Sequence, residues 1–108
     1  MKLTRKLVLE APGRVPDGAG GFEGGWSVLG THWGQVRALA GRQERAEEAA
    51  RARSAYRITV RSVPPGSASR PEPGQRFVEG TRVFLIRSVW DDPDMRYLIC
   101  LADEEVSP

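Results

Sequence analysis

The sequence predicts a mainly β protein, a small antiparallel barrel or sandwich of about five to six strands with one short helix. The last third of the chain, residues 75–106, contains three apolar runs separated by turn residues. Within two of these runs, Val83–Ile86 and Tyr97–Ala102, almost every residue is hydrophobic, as in strands that are buried on both faces. Long stretches rich in glycine and proline connect the other apolar segments, and only one stretch is rich in helix-forming residues.

The first predicted strand is Leu3–Glu10, where leucines recur weakly on one side. Residues 11–25 follow, with six glycines and two prolines in 15 residues, and are predicted to be a long loop. Phe22 and Trp26 lie at its end. Two interpretations remain open: these aromatic residues pin the loop to its own core, or the loop is an arm that lies over a neighbouring subunit.

The second predicted strand is Ser27–Ala40, in which Gly30 and Gly34 indicate a bulge or a strong bend. The only convincing helix is predicted over residues 43–53. Its apolar face consists of alanines alone, which bury too little area to hold a helix firmly on a core. The helix is therefore expected to dock loosely or to be completed by another chain.

The remaining segments alternate between strands and turns. Tyr56–Arg61 alternates apolar and polar residues and is predicted to be a strand with one wet face, and residues 62–75 are predicted to be a second long loop. The last three strands are predicted at Arg76–Glu79, Thr81–Trp90 and Arg96–Ala102, followed by an acidic tail at 103–108. The predicted core contains Val36, Tyr56, Ile58, Val60, Val83, Leu85, Tyr97, Ile99 and Leu101.

Charge and composition exclude several classes of protein. The net charge is only +2, whereas a dedicated DNA-binding protein is usually far more basic. Residues 1–62 carry 11 basic and 6 acidic groups, and residues 63–108 carry 5 and 8. This asymmetry is usually a solvated surface, and the alternative is that copies abut with opposite charges facing. We expect neither a membrane span nor a secretory signal, and the single Cys100 fits a reducing cytoplasm.

No pattern of catalytic, cofactor-binding or metal-ligating residues is present in the sequence. One histidine and one cysteine cannot supply a site of three or four metal ligands. His32, between Thr31 and Trp33 in a strand, is expected to be structural, and the glycines at 18–25 do not form a dinucleotide-binding fingerprint. The aspartates at 91–94 are explained by a turn around Pro93. The chain is therefore predicted not to be an enzyme and to need no cofactor.

A monomeric nucleic-acid-binding barrel is the alternative from a different class. A small barrel that carries Arg57, Arg61 and exposed aromatic side chains would suit an oligonucleotide-binding platform. However, the aromatic residues Tyr56, Phe84 and Tyr97 lie within apolar strand faces, which favours a role in the core.

The order of the segments resembles that of the phage head–tail joining family, the head-closure or stopper proteins. The matching motifs are Gly25-Trp26, Gly30–Trp33, Gly41–Arg45, Tyr56–Ser62 and Glu79–Val83. Residues 17–33 together with 70–82 look closer still to the head-closure proteins of gene transfer agents. The resemblance covers nearly the whole chain, and its weight lies in the joint order of motifs that are individually loose.

The resemblance implies a small β-barrel that forms a ring in the neck of a phage-like particle. Such a ring lies between portal and adaptor proteins on one side and the tail terminator and tail on the other. It retains packaged double-stranded DNA, which passes through its channel on ejection. Chain size favours six copies over twelve, because six touching copies leave a hole about one subunit wide. A tail terminator or another neck component remains an alternative, and assembly is expected in the host cytoplasm.

The resemblance also suggests which residues carry these roles. The gate is assigned to Gly41–Ser54, since the family's mobile inner segment lies between the second and third strands, with Ser62–Gln75 as the other candidate. The alternative for Gly41–Ser54 is an outer helix that docks on a neighbouring ring. The residues expected to face the channel or DNA are Arg42, Arg45, Arg51 and Arg53. The residues expected at contacts between subunits are Phe22, Trp26, Arg57, Arg61, Asp103 and Glu104.

Overall fold

Six antiparallel strands form the fold. The structure is a computed structural model that describes residues 2–16, 22–39 and 55–105. The strands are β1 (Arg5–Pro16), β2 (Phe22–Ala38), β3 (Ala55–Arg61), β4 (Arg76–Glu79), β5 (Arg82–Asp91) and β6 (Tyr97–Glu104). The helix predicted at 43–53 lies outside the described residues. Across the described ranges, no helix has the length and apolar character needed to cross a membrane.

The sheet closes on itself in the order β1-β2-β3-β6-β5-β4. The seam between β1 and β4 consists of three residue pairs, Val8 with Val78, Leu9 with Phe77 and Glu10 with Arg76. A closed sheet of so few strands has an interior just large enough to be filled by side chains. The prediction of a small, mainly β, antiparallel fold of five to six strands is confirmed.

The β1–β2 hairpin is longer than the sequence predicted. Residues 11–16 and 22–25, expected to be loop, continue both strands as a two-stranded ribbon in which Pro12 is opposite Trp26 and Pro16 is opposite Phe22. A proline is compatible with a strand that has only one neighbour, because its missing N–H can face the unpaired side. The bulge expected near Gly30 is present, since the register shifts at Leu9 and leaves Leu29 without a partner.

The core lies on the opposite face of β5 and β6 from the one predicted. Phe84 and Ile86 of β5 point inward, whereas Val83, Leu85, Tyr97 and Leu101 are only partly buried. The error arose because both faces of these strands are apolar, so a period of two cannot say which face is inside. The buried core cluster is Leu7, Leu9, Ile58, Val60, Phe77, Phe84, Ile86, Leu98, Cys100 and Ala102.

The other five predicted core residues are buried or pack against the core. Ile58 and Val60 are fully buried, and Val36 and Tyr56 pack against the core cluster while remaining partly exposed. Ile99 is also buried, but from the outer face, where it is opposite Thr59. The expected acidic tail begins later than predicted, because β6 continues to Glu104.

The absence of a side chain at Gly34 lets β2 pack closely against its neighbouring strands. A Cβ atom built at this position would lie 2.8 Å from Leu7 Cδ1, 2.9 Å from the Thr59 carbonyl oxygen and 3.0 Å from Val60 Cγ1. One of these neighbours is main chain of the adjacent strand, which cannot yield without disturbing the β2–β3 ladder. The glycine predicted to cause a bend therefore serves packing, which is the other reason for glycine in a strand.

We expect Gly34→Ala to lower the free energy of unfolding by about 1–3 kcal/mol, because the new methyl group overpacks the interior. Chemical denaturation followed by tryptophan fluorescence measures this change. Gly24→Ala is the matched control, since a Cβ there meets nothing within 4 Å. Equal stabilities of the two variants would contradict the packing role of Gly34.

Candidate functional site

Four charged residues from four strands meet at one end of the barrel, and we call them the end network. Arg5 of β1 donates two hydrogen bonds to the Glu79 carboxylate of β4, and Arg82 of β5 donates from Nε to Glu104 of β6 at 2.8 Å. Arg82 also lies 3.8 Å from Glu79, which joins the two pairs. The network therefore links β1 to β4 beside the seam and β5 to β6.

Aromatic rings hold the centre of the end network in place. The Arg82 guanidinium lies 4.9 Å from the ring centroid of Phe84 and 5.5 Å from that of Tyr56. These two rings pack edge to face, with centroids 5.2 Å apart. The hydrogen bonds from Arg5 and Arg82 lower the pKa of Glu79 and of Glu104, respectively. Both carboxylates are therefore ionised partners of the arginines at neutral pH.

The opposite end of the barrel is covered by residues 62–75, which we call the strap. Pro71 is fully buried, and the strap continues into β4 through bonds between Gly74 N–H and the Ile86 carbonyl oxygen, and between Ile86 N–H and the Gln75 carbonyl oxygen. Arg70 donates to the Val63 carbonyl oxygen at 2.7 Å and to Asp91 at 3.4 Å. The strap contains no strand, as predicted, yet it is packed on the barrel rather than loosely attached.

His32 attaches the strap to β2. Its Nε2 lies 2.7 Å from the Ser69 carbonyl oxygen, and its ring packs edge to face on Phe77 with centroids 5.9 Å apart. Burial lowers the pKa of His32, so the ring is neutral at pH 7 and donates this hydrogen bond. The arrangement gives His32 a structural role in holding the strap.

The described residues do not bring together a set of catalytic or metal-ligating groups. No group of three or more histidine, cysteine or acidic side chains among them could hold a metal ion. Burial raises the pKa of the Cys100 thiol to about 12, which leaves it protonated and unreactive at neutral pH.

The residues predicted to contact other subunits are in different situations. Asp103 and Glu104 are ion-paired within the chain, to Arg87 and Arg82, respectively. Trp26 is 38% exposed, and the Arg76 guanidinium lies 4.0 Å from its ring centroid. Arg57 and Arg61 are exposed, and Phe22 is described only through its backbone pairing with Pro16. Arg42, Arg45, Arg51 and Arg53, predicted to face DNA, lie outside the described residues.

Sequence analysis missed a basic surface on the outside of the barrel. Arg37 of β2 is directly opposite Arg57 of β3, and Leu101 of β6 is the partner of Arg57 on its other side. We call the outer face formed by these three residues the basic wall. The period of two along β2, with Trp33, Gln35 and Arg37 on one side, is the signal that could have revealed it.

The fold and these surfaces define a small closed β-barrel protein whose features are suited to contacts with other macromolecules. The chain belongs to the phage head completion protein family, whose family model matches residues 1–105. This match confirms the resemblance found in the sequence.

Solved structures include two similar chains. One belongs to the virion of a native gene transfer agent particle; it is 39% identical, the match covers 99% of each chain, and the TM-score is 0.74. The other is the solution structure of protein SF1141 from Shigella flexneri 2a, with 19% identity, coverage of 99% of this chain and 96% of that chain, and a TM-score of 0.72. The second likeness concerns the fold alone. No curated protein matches the chain.

His32→Ala is expected to lower the free energy of unfolding by about 2 kcal/mol, because it opens a cavity and removes the hydrogen bond to the strap. It should also speed amide hydrogen exchange in residues 62–75 more than in β3 and β6. Thr31→Ala, at the exposed neighbouring position, is the control. Unchanged exchange in the strap would show that His32 does not hold it.

The end network predicts a dependence of stability on pH. Because the folded pKa values of Glu79 and Glu104 are lowered from 4.5, their stabilisation is present above that value and is lost as the pH falls through the folded values. The double variant Glu79→Gln, Glu104→Gln should be less stable at neutral pH by about 1 kcal/mol or less, since the pairs are partly solvated. Urea unfolding between about pH 5 and 3 should show a shallower decline for the variant than for the native chain. Parallel declines would contradict this account.

Proposed function

We propose that this chain is a structural protein in the neck of a phage-like particle. In this proposal it forms a homo-oligomeric ring between the portal and adaptor proteins and the tail, closes the filled head, retains its DNA and joins the tail. It acts in the assembled particle, after assembly in the host cytoplasm, and uses no cofactor and no catalytic residue.

The observation that carries the proposal is that the chain matches both a family model and a chain from a phage-like particle. The family model describes phage head completion proteins and matches residues 1–105. The 39% identical chain, alike over 99% of both lengths, comes from a gene transfer agent virion. Similarity at that level over the whole length supports the same place in a related particle.

The geometry supports a subunit of this kind. Closure pairs the strands around the barrel, whereas the β1–β2 ribbon extends beyond it with one unpaired edge on each strand, which is available for contact with a neighbouring copy. A ring requires heterologous contacts, in which each copy offers two different surfaces. The proposal favours six copies, which enclose a hole about one subunit wide, over twelve, whose hole would be nearly three times wider.

The gate is part of the same proposal. The strap is held by His32, Arg70 and the buried Pro71, which supports assigning the gate to Gly41–Ser54 rather than to Ser62–Gln75. In this assignment, residues Arg42, Arg45, Arg51 and Arg53 face DNA phosphates in the closed channel.

Removal of the chain from a particle-producing host tests the function. Heads assembled without it are expected to package DNA but then lose it, and to carry no tails. Nuclease protection measures DNA retention, electron microscopy counts tails, and expression of the native chain from a plasmid is the control. Heads that keep their DNA while tails have abnormal lengths would instead favour a tail terminator. Heads that keep both DNA and normal tails would contradict any role in the neck.

A further inference from the structure

Ion pairs within the chain neutralise most charges on one side of the barrel. Four arginines from three strands, β1, β4 and β5, are each paired with a carboxylate: Arg5 with Glu79, Arg76 with Glu10, Arg82 with Glu104 and Arg87 with Asp103. Arg37, Arg57 and Arg61, on β2 and β3, are exposed and form no ion pair with another described residue. These three arginines place unpaired positive charge in and beside the basic wall, and the other exposed cations without an ion pair to a described residue are Lys2, Lys6 and Arg96.

The two arginines of the basic wall repel each other, and neither forms an ion pair with another described residue. Arg37 and Arg57 are directly opposite each other on neighbouring strands. Like charges in that position destabilise a sheet, because the side chains of cross-strand partners are neighbours on one face. An anionic group placed over the pair would convert this repulsion into attraction. The wall is therefore suited to a negatively charged partner.

The β5–β6 turn has the complementary features. The Asp92 carboxylate accepts hydrogen bonds from the backbone N–H groups of Arg96 and Tyr97 and is therefore already used within its own turn. Asp94 is exposed and forms no hydrogen bond or ion pair with another described residue. Met95 is 65% exposed and is the one described non-glycine residue with a positive φ, 59°. Such strain is uncommon outside glycine, asparagine and aspartate, and is often retained for a function.

The turn of one copy cannot reach the arginine pair of its own wall. Arg61 is opposite Tyr97 at the base of the turn, whereas Arg57 is opposite Leu101. These two positions are separated by four residues of strand, about 13 Å at 3.3 Å per residue, and a hairpin turn projects away from its own sheet. A contact between Asp94 and Arg57 must therefore join two chains.

We propose that the β5–β6 turn of one copy docks on the basic wall of a neighbouring copy. Asp94 faces Arg37 and Arg57, and Met95 packs on Leu101, the apolar residue beside Arg57. The contact is heterologous, since it uses two different surfaces of the same chain, as a closed ring requires. The inference rests on the proposed function, which brings copies side by side in a ring.

The surroundings of the wall favour a protein over DNA as the occupant. Trp33, on the same strand as Arg37, is 54% exposed, and Trp90, on the strand next to that of Leu101, is 41% exposed. Tryptophan and arginine are enriched at protein interfaces, whereas the stacked bases of a duplex offer no face for an aromatic ring. A second copy carries the exposed acidic and apolar residues that match this surface.

Thiol crosslinking in assembled particles tests the contact. The double variant Arg57→Cys, Asp94→Cys is incorporated into particles and treated with a short bifunctional maleimide, since paired Arg and Asp side chains place their Cα atoms beyond the ~7 Å limit of a disulfide. The native Cys100 is fully buried and leaves little background. We expect a ladder of covalent oligomers that ends at the copy number of the ring. Each single variant should give no crosslinked dimer, because neither site contacts itself.

The outcomes separate the contact from the function. Absence of the ladder in particles that retain DNA and carry tails overturns the docking contact and leaves the neck function standing. The removal experiment tests the function by itself, because it does not depend on which surfaces touch. A crosslinked dimer from Arg57→Cys alone would indicate a symmetric contact and would also overturn the proposal.

Charge reversal gives a second, independent test. Arg57→Asp and Asp94→Arg should each weaken self-association of the concentrated chain by about tenfold or more, and the combination should restore most of it. Lys2→Asp is the control for net charge, because Lys2 is exposed and forms no ion pair with another described residue. No rescue in the double reversal would overturn the proposed pair.

Met95→Gly separates docking from folding. Glycine relieves the positive φ, so the melting temperature should stay the same or rise while self-association weakens. Unchanged self-association would exclude Met95 from the contact.

Binding of a short DNA duplex at low salt completes the test. The result that overturns the proposal is loss of duplex binding in Arg57→Asp while thiol crosslinking between copies, through cysteines placed next to positions 57 and 94, is unchanged. The wall would then face DNA.

Discussion

Closure of the sheet through the short seam between β1 and β4 is the constraint on which the rest of the structure depends. Only three residue pairs form this seam, with Leu9 and Phe77 directed into the barrel. Ion pairs strengthen both of its ends, Arg5 with Glu79 just beyond one end and Glu10 with Arg76, the last residue pair of the seam, at the other. Exposed ion pairs contribute little singly, so here they mainly fix which residues align across a junction too short to define its own register.

Other irregular features follow from that closure. A six-stranded barrel must turn its chain sharply, and the register shift at Leu9 supplies extra bending beside the seam. The interior is narrow, so Gly34 lets β2 approach β3 where a side chain would collide with the Thr59 backbone. One open end is covered by the strap, whose Pro71 is buried and whose Ser69 carbonyl oxygen accepts a hydrogen bond from His32. Gly34, His32 and the strap residues Ser69 and Pro71 thus act together to close the small interior of the barrel.

The fold class and the family could be predicted from the sequence, but the arrangement of faces could not. β3 alternates polar and apolar residues, and its inward residues Ile58 and Val60 were identified correctly. In β5 and β6 both faces are apolar, and the choice between Leu85 and Phe84 depends on strand neighbours far away in sequence. Composition also suggested loop for 11–16, because glycine and proline disfavour strands on average, whereas a hairpin ribbon with one unpaired edge accommodates them. For the surface, alternation shows that Arg57 points outward, but only the pairing of β2 with β3 shows that it faces Arg37.

The net charge of +2 conceals an uneven distribution that has consequences for assembly. Ion pairs within the chain occupy Asp103 and Glu104, so the acidic residues that seemed available for neighbours from sequence alone are already used. The exposed charges without an ion pair to a described residue include Arg37 and Arg57 on one surface and Asp94 on another. A chain that offers opposite charges on two different surfaces can join its copies head to tail, and the same polarity disfavours a two-fold dimer that would bring like surfaces together. In this way the internal ion pairs both align the seam and determine which charges are left for contacts between chains.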